Sequence, residues 1–350
     1  MLLGCTTATD SYIYNKSYDS VRVDAIVVVI SATDPDTDDR RASEYQTRRG
    51  TDRPRGRCDG KSGQRHNRPS PGSRPGIRRC GLTRTPDSEA ARALEERGVD
   101  IRRGDLNDKE TLRSAVDGVD AVVIVTNIWT AGFDESVRHG TNIADVAAEA
   151  GVGHIVFSGA GYHDRDLGIA ALEPAGQVEQ YIRSLDVPAT FLRPVWFMHN
   201  LEPAFEDILD GTLALPIRED VTLQMLAVDD VGRTIARILA DPDEFVGESF
   251  DLAGDEHTLP EMARIISEVT GANVQPFSVP IENAREEMGE EMAELFQWFN
   301  DEGYAVDIER LERQLGFEFT GFCKYLENNG WADKEQPSRI PGLVKAMMQP

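Results

Sequence analysis

"GLTRTPDSEAARALEERGVDIRRGDLNDKETLRSAVDGVDAVVIVTN" (Gly81–Asn127) alternates short apolar runs with capped amphipathic segments. Asp87 and Ser88 are cap candidates for a helix that Gly98 stops. "VDIRRGDL" reads as a short strand running into a Gly-Asp turn. "NDKETLRSAVDG" is a second capped helix, with Leu112, Ala115 and Val116 on one face. "DAVVIVTN" is apolar without alternation, as a parallel strand covered on both faces should be.

The rhythm continues downstream. "DESVRHGTNIADVAAEAG" is a longer helix stopped by Gly151, "HIVFSGAG" a strand, "GQVEQYIRS" a helix, and "VPATFLRPVWFMHN" contains a further strand. Such alternation argues for an α/β fold with a doubly wound parallel sheet. After Asn200 the pattern changes. "EPAFEDILDGTLALP" predicts a helix and a short strand, and "LQMLAVDDVGRTIARILADP" leads into a helix capped by Asp229 or Asp230. The remainder is largely helical, a smaller C-terminal segment forming the second wall of a cleft. Its carboxylates (Glu286, Glu287, Glu290, Glu291, Glu294) read as a solvated face.

Upstream of Gly81 the pattern fails. Residues 32–80 are rich in Asp, Arg, Gly, Pro and Ser, and Ile77 is the only aliphatic residue between Thr51 and Arg79. Residues 1–80 are therefore expected to be irregular, without the first strand and glycine-rich turn of a dinucleotide fold. The domain is expected over residues 81–331, its substrate- or partner-side parts near 201–225 and 256–331, with residues 332–350 a tail. Codon degeneracy allows Arg53–Ser70, read one nucleotide later, to encode "ALVVAATGNQGSVTTAL", a strand, a Gly-x-x-Gly turn and a helix start. A wrong-frame segment is thus one reading of residues up to about Cys80. The rival reading takes "DAIVVVISATD" as a natural first strand.

Charge is divided the same way. Residues 1–80 carry 15 Lys+Arg against 10 Asp+Glu, and the rest carries 22 against 51. That acidic body repels nucleic acid and anionic membranes. Only 6 of the 37 basic residues are Lys, a balance that suits concentrated cytoplasmic salt, as in a halophile. "AIVVVI" is too short to span a bilayer, so a cytoplasmic protein is expected. No CxxC pair or His spacing points to a metal.

Ligands of doubly wound sheets bind at the carboxyl ends of the strands. Arg84, after the second strand, can meet an adenosine 2′-phosphate. Asp105 can accept from the adenine amino group while Leu106 packs on the ring. Val125, Thr126 and Asn127 are small or polar enough to let a ligand approach. Ser158, in "FSGAG" with Gly159 and Ala160, can reach the nicotinamide ribose. Taken singly, each of these is ordinary loop chemistry.

With these motifs in this order, the chain from about Gly81 to Trp331 resembles the NmrA-like family of atypical short-chain dehydrogenases. "FLRPVWFMHN", which contains Pro194, "AVDDVGRTIARIL" and "GESFDLAGDEHTLPEMARII" are similar to its later signatures. The resemblance implies a Rossmann-like fold with bound NADP or NAD. It also implies one of two roles, a redox-sensing regulator acting through protein partners or an NAD(P)H-dependent reductase of a quinone-like or other small carbonyl. Arg84 favours NADP. Reductases of the wider superfamily use Tyr-x-x-x-Lys or a lone Lys. Here Ala175 stands where the family often has Lys, and Tyr181 is followed four residues later by Leu185. Ser158 and Tyr162 remain the weak catalytic candidates; Tyr162 and His163 could donate a proton, but a plain loop role is the preferred reading of both. The expectation is a dinucleotide binder with little or no turnover.

Overall fold

The computed structural model describes residues 25–32, 77–165 and 167–333. Its strands are β1 (Ala25–Ala32), β2 (Ile77–Thr83), β3 (Asp100–Arg103), β4 (Ala121–Thr126), β5 (His154–Ser158) and β6 (Ala189–Pro194). The later ones are β7 (Trp196–Phe197), β8 (Thr212–Leu215), β9 (Thr222–Leu226), β10 (Ser249–Leu252), β11 (Asp255–Thr258) and β12 (Gln275–Ser278). The helices are α1 (Glu89–Glu95), α2 (Lys109–Val116), α3 (Ile128–Ala131), α4 (Phe133–Glu149), α5 (Glu173–Ser184) and α6 (Phe205–Leu209). They continue with α7 (Val228–Ala240), α8 (Leu259–Thr270), α9 (Ile281–Met288), α10 (Glu290–Asp301), α11 (Ile308–Leu315) and α12 (Phe322–Asn328).

Local chemistry sets these boundaries. Ser88 caps α1 by accepting from Ala91 N–H, and Asp108 caps α2 by accepting from Glu110 N–H. Thr258 and Glu261 form a reciprocal capping box on α8, which ends at left-handed Gly271. At α7 the expected cap is displaced. Ala227 stands at that position, and buried Asp230 in the first turn accepts instead from Thr320 N–H at 2.6 Å. That bond joins α7 to the segment before α12.

The main sheet runs β10-β6-β5-β4-β1-β2-β3. The pairs β2–β3, β4–β5, β5–β6 and β6–β10 are parallel. Alternate residues of its central strands feed two separate cores. Val122, Ile124, Ile155 and Phe157 pack with Ile143 of α4 and Val178 and Ile182 of α5. Val123, Val156 and Leu192 pack on the other side with Ile235 and Ile238 of α7 and Leu311 of α11. Both faces are covered, so the strands are apolar throughout. In α4, a Cβ at Gly140 would lie 2.6 Å from Val178 Cγ1, so the close approach of α4 to α5 requires glycine there.

The N-terminal part departs from expectation. Residues 1–80 were expected to lack a first strand, yet β1 occupies the central slot between β4 and β2, and β2 begins at Ile77 rather than Gly81. It runs antiparallel to both neighbours, with Val28 opposite Gly81 and Ala25 opposite Thr126. An apolar run such as Ala25–Ile30 suits the centre of a sheet whose two faces are both covered. Its direction is reversed relative to the strands around it. The stretch Arg53–Ser70 lies outside the described residues.

A second lobe stands over the carboxyl ends of the strands. It contains a three-stranded sheet β11-β9-β7, a β12–β8 pair, and α6, α8, α9, α10 and α12 around Trp196, Phe205, Phe296, Phe322 and Trp331. Glu286, Glu287, Glu290 and Glu291 are exposed, as a solvated face requires, while Glu294 is half-buried. Among the described residues, no helix is long and apolar enough to cross a membrane.

Candidate functional site

Parallel register brings the carboxyl ends of β2, β3, β4, β5, β6 and β10 to one edge, and most of the residues read from sequence lie there. Arg84 is exposed, one residue past Thr83 at the end of β2. Asp105 follows β3, where its carboxylate accepts from Asn107 N–H at 2.9 Å and its own N–H donates to Thr111 Oγ1 at 2.9 Å. The Gly-Asp turn is therefore also the entry to α2. Leu106 is buried among Leu112, Val116 and Ile124, and its carbonyl accepts from Asn142 Nδ2 at 2.8 Å. Its side chain belongs to the core beneath the edge.

Val125, Thr126 and Asn127 end β4 and are half-buried. Ser158 ends β5 and is buried in register with Val125 on one side and Leu192 on the other. Beyond it the β5–β6 ladder continues without regular strand. Gly159 N–H donates to Leu192 O at 2.9 Å and Gly161 N–H donates to Pro194 O at 2.7 Å. Ala160 N–H donates to His163 Nδ1 at 3.1 Å. A Cβ on Gly159 would sit 2.6 Å from His163 Cε1, so glycine at 159 makes room for that imidazole.

Tyr162 is buried with φ 59°, a left-handed conformation rare for a bulky residue. Its hydroxyl accepts from Ala305 N–H at 2.7 Å, its ring meets Trp298 and Tyr304 edge-on, and the Arg165 guanidinium lies 3.4 Å over it. That engagement explains the strained backbone, because the lobe holds the ring in place. Tyr181 donates its hydroxyl to Asp145 at 2.5 Å, and Asp145 also pairs with Lys109. Ala175 is buried in the core at the start of α5.

Sequence reading passed over the group beneath this edge. Glu179, on α5, is 3% exposed. It accepts from His163 Nε2 (2.5 Å), Arg193 Nη2 (2.6 Å) and Nε (3.1 Å), and Arg183 Nη2 (2.8 Å). Burial pushes its carboxyl up, but the bonds from His163, Arg193 and Arg183 prevail and hold it down to about 2. Arg193 also pairs with Asp164 at 2.7 Å. Nearby Asp251, on β10, is raised by burial above the ordinary carboxylate range. A Glu inside "GQVEQYIRS" looks solvated, and only the spacing of Glu179 and Arg183, one helical turn apart, hinted at a pair.

On the lobe side, His199 lies 5.1 Å from the Phe197 ring. Its Nδ1 is buried without a partner, and burial pushes its pKa down to about 4. Phe197 packs against the same core cluster as Val125 and Tyr304.

In the middle of this edge, where β1 borders β4, stands the amino end of β1, with Ala25 beside Thr126. Among the described residues, no glycine-rich turn follows a strand there.

A doubly wound sheet with polar and small residues gathered at the carboxyl ends of its strands, roofed by a second lobe, defines a mononucleotide- or dinucleotide-binding class of fold. Comparison with known proteins makes this specific. The model of the NmrA-like family matches residues 76–327, and the chain belongs to that family. An NmrA-like family domain-containing protein of Dictyostelium discoideum is 28% identical over 267 residues, covering 70% of this chain and 87% of its own. Two solved structures share the fold. The Citrobacter sp. triphenylmethane reductase complexed with NADP(H) has a TM-score of 0.62 at 21% identity, over 71% of this chain and 89% of that one. NmrA, a negative transcriptional regulator, in complex with NADP, has a TM-score of 0.59 at 20% identity, over 70% and 85%.

Proposed function

We propose that the chain binds a nicotinamide dinucleotide along the carboxyl edge of its sheet, NADP in preference to NAD. It acts as a sensor or regulator of that cofactor through protein contacts of the second lobe, with little or no turnover. The edge fits such a ligand at both ends. At β2–β3, Arg84 and Asp105 offer a cation and an acceptor to a phosphorylated adenosine. At β4–β6, Val125, Thr126, Asn127, Ser158, Gly159, Ala160 and Pro194 leave close approach for the nicotinamide half. When bound, the dinucleotide would supply hydride chemistry, and the chain's own residues would hold it and exclude water.

The observation that carries low turnover is the engagement of both candidate phenols. Tyr162 is fixed on Ala305 N–H and Tyr181 on Asp145, while Ala175 stands buried in place of a Lys. A positioned general acid typically contributes about 10²–10⁴-fold, so its loss leaves little rate. The solved regulator with NADP supports this reading.

A reductase of a quinone-like or other small carbonyl compound is the second reading. The unpartnered Nδ1 of His199 favours it, because a neutral imidazole beside Phe197 can hydrogen-bond a substrate oxygen. The NADP(H)-bound reductase structure points the same way.

Calorimetric titration with NADP and NAD, followed by NADPH oxidation with a panel of quinones and triphenylmethane dyes, separates the two. Binding without oxidation supports the sensor. Steady oxidation that His199→Phe abolishes supports the reductase.

A further inference from the structure

We propose that Tyr162 is a relay between the carboxyl edge and the second lobe, pinning the chain between α10 and α11 to the floor of the site. The relay rests on the dinucleotide reading above and gives that site a route to the lobe.

The chain crosses between lobe and sheet twice around one helix. α10 and α12 belong to the lobe core, through Phe296, Phe299, Phe322 and Leu326. α11, between them, belongs to the core on the α7 face of the sheet, through Leu311 and Leu315. The first crossing, residues 302–307, carries Tyr304 and Val306, and each packs against both cores. The second crossing is held from α7, where Asp230 accepts from Thr320 N–H at 2.6 Å.

The first crossing is held from the site instead. Ala305 N–H donates to the Tyr162 hydroxyl at 2.7 Å. Ala305 is exposed and Tyr162 is buried, so the shielding of that amide rests on this bond. A Cβ on Gly161 would lie 2.7 Å from Tyr304 Cε1, which shows how closely the loop after β5 meets the crossing. On its other side the loop is anchored to the sheet. Gly161 N–H donates to Pro194 O at 2.7 Å, and the Asp251 carboxyl on β10 takes the N–H of Tyr162. Ser158, Gly159 and Ala160, offered above to the nicotinamide half, stand immediately before Gly161.

The backbone of Tyr162 gives the relay two discrete positions. Its φ of 59° is a basin that a bulky residue occupies only while its surroundings hold it there. Trp298 and Tyr304, edge-on to the ring, and Arg165 over it supply that hold. Release of the ring returns Tyr162 to negative φ and frees the crossing. A ligand seated on Ser158–Ala160 steadies the loop backbone and with it the ring. Ligand and crossing thus favour the same position, and their coupling is reciprocal.

The test is hydrogen–deuterium exchange of the full chain at residues 303–307, with and without saturating NADP. Wild type is compared with Tyr162→Phe, which keeps the ring and removes the acceptor of Ala305 N–H, and with Asp230→Asn at the other crossing. Without ligand, Tyr162→Phe is expected to exchange about 3- to 10-fold faster at 303–307. NADP should slow the wild type there about fivefold or more, and Tyr162→Phe less than about twofold. Asp230→Asn should exchange faster at 319–322 yet keep the NADP effect at 303–307, a split that general loosening would not give. An equal NADP effect in wild type and Tyr162→Phe, or an equal loss of it in both variants, overturns the relay and leaves the dinucleotide reading standing. NADP binding by calorimetry with no change at 303–307 does the same. A wild-type chain that binds neither NADP nor NAD overturns both.

Discussion

Nε2 of His163 lies 2.5 Å from Oε2 of Glu179, a buried contact tying the loop after β5 to the middle of α5. Because His163 Nδ1 accepts from Ala160 N–H, the ring carries its hydrogen on Nε2 and donates it to Glu179. One carboxylate therefore fixes a loop, a helix and, through Arg193, a strand.

Glu179→Gln is expected to destabilise the fold by about 3–5 kcal/mol, because buried Arg193 loses the charge that compensates it and His163 loses a charged acceptor. The effect is pH-dependent with a definite sign. The folded carboxyl is held down to about 2 from an ordinary 4.5, so its contribution is complete above pH 4.5 and lost as pH falls towards 2. Urea denaturation across that window should show the wild type losing up to about 3 kcal/mol more than the variant. Equal slopes would mean the network is not charged as described.

Gly159→Ala should cost about 1–3 kcal/mol through overpacking against His163, whose Cε1 a new Cβ would approach to 2.6 Å. In a His163→Ala background the same substitution should cost much less. A double-mutant cycle reads the difference as a coupling energy. Simple additivity would count against the contact.

His199 gives a second, separate pH window. Burial lowers its folded pKa from 6.5 to about 4, so the unfolded chain takes the proton first as pH falls. Stability is full above pH 6.5 and declines between 6.5 and 4, by at most about 3 kcal/mol. His199→Phe should flatten the melting-temperature profile there, and an unchanged slope would be the contrary result.

The reversed direction of β1 yields a prediction about the gene. A strand that fed a glycine-rich turn into the site would run parallel to β4, and Ala25–Ala32 does not. Nucleotide resequencing across codons 38–81 is expected to reveal a frame change. A chain carrying the "ALVVAATGNQGSVTTAL" frame, joined near Gly81, should bind NADP about 10²–10⁴-fold more tightly, the worth of two charged hydrogen bonds. An unaltered gene sequence, or equal NADP affinity of the two chains, would refute the idea.

Much of the sheet was legible because its strands are short, continuous and punctuated. Gly98, Gly118 and Gly151 each adopt positive φ just after the helices they close, and no other residue type serves as well there. The polar network was not legible. Glu179, His163 and Arg193 are 14 to 30 positions apart, and nothing in the local pattern of α5 distinguishes a buried Glu from a solvated one. The packing of Leu106 was hidden for a related reason. A Leu beside a turn can lie over a ligand or under a sheet, and only packing against Leu112 and Ile124 decides. Orientation was likewise hidden in "AIVVVI", whose apolar run fits a central slot in either direction.

The backbone bonds from Gly159 to Leu192 and from Gly161 to Pro194 carry the β5–β6 ladder past the end of β5 to the last residue of β6. A floor stitched in this way cannot flex independently of the sheet. Any rearrangement that accompanies ligand exchange must then be taken up on the opposite side, in the chain from Val195 through the 3₁₀ turn Met198–Ala204 and the lobe it enters. Such a protein would report occupancy through the attitude of its roof, with the sheet acting as the fixed frame against which that tilt is measured.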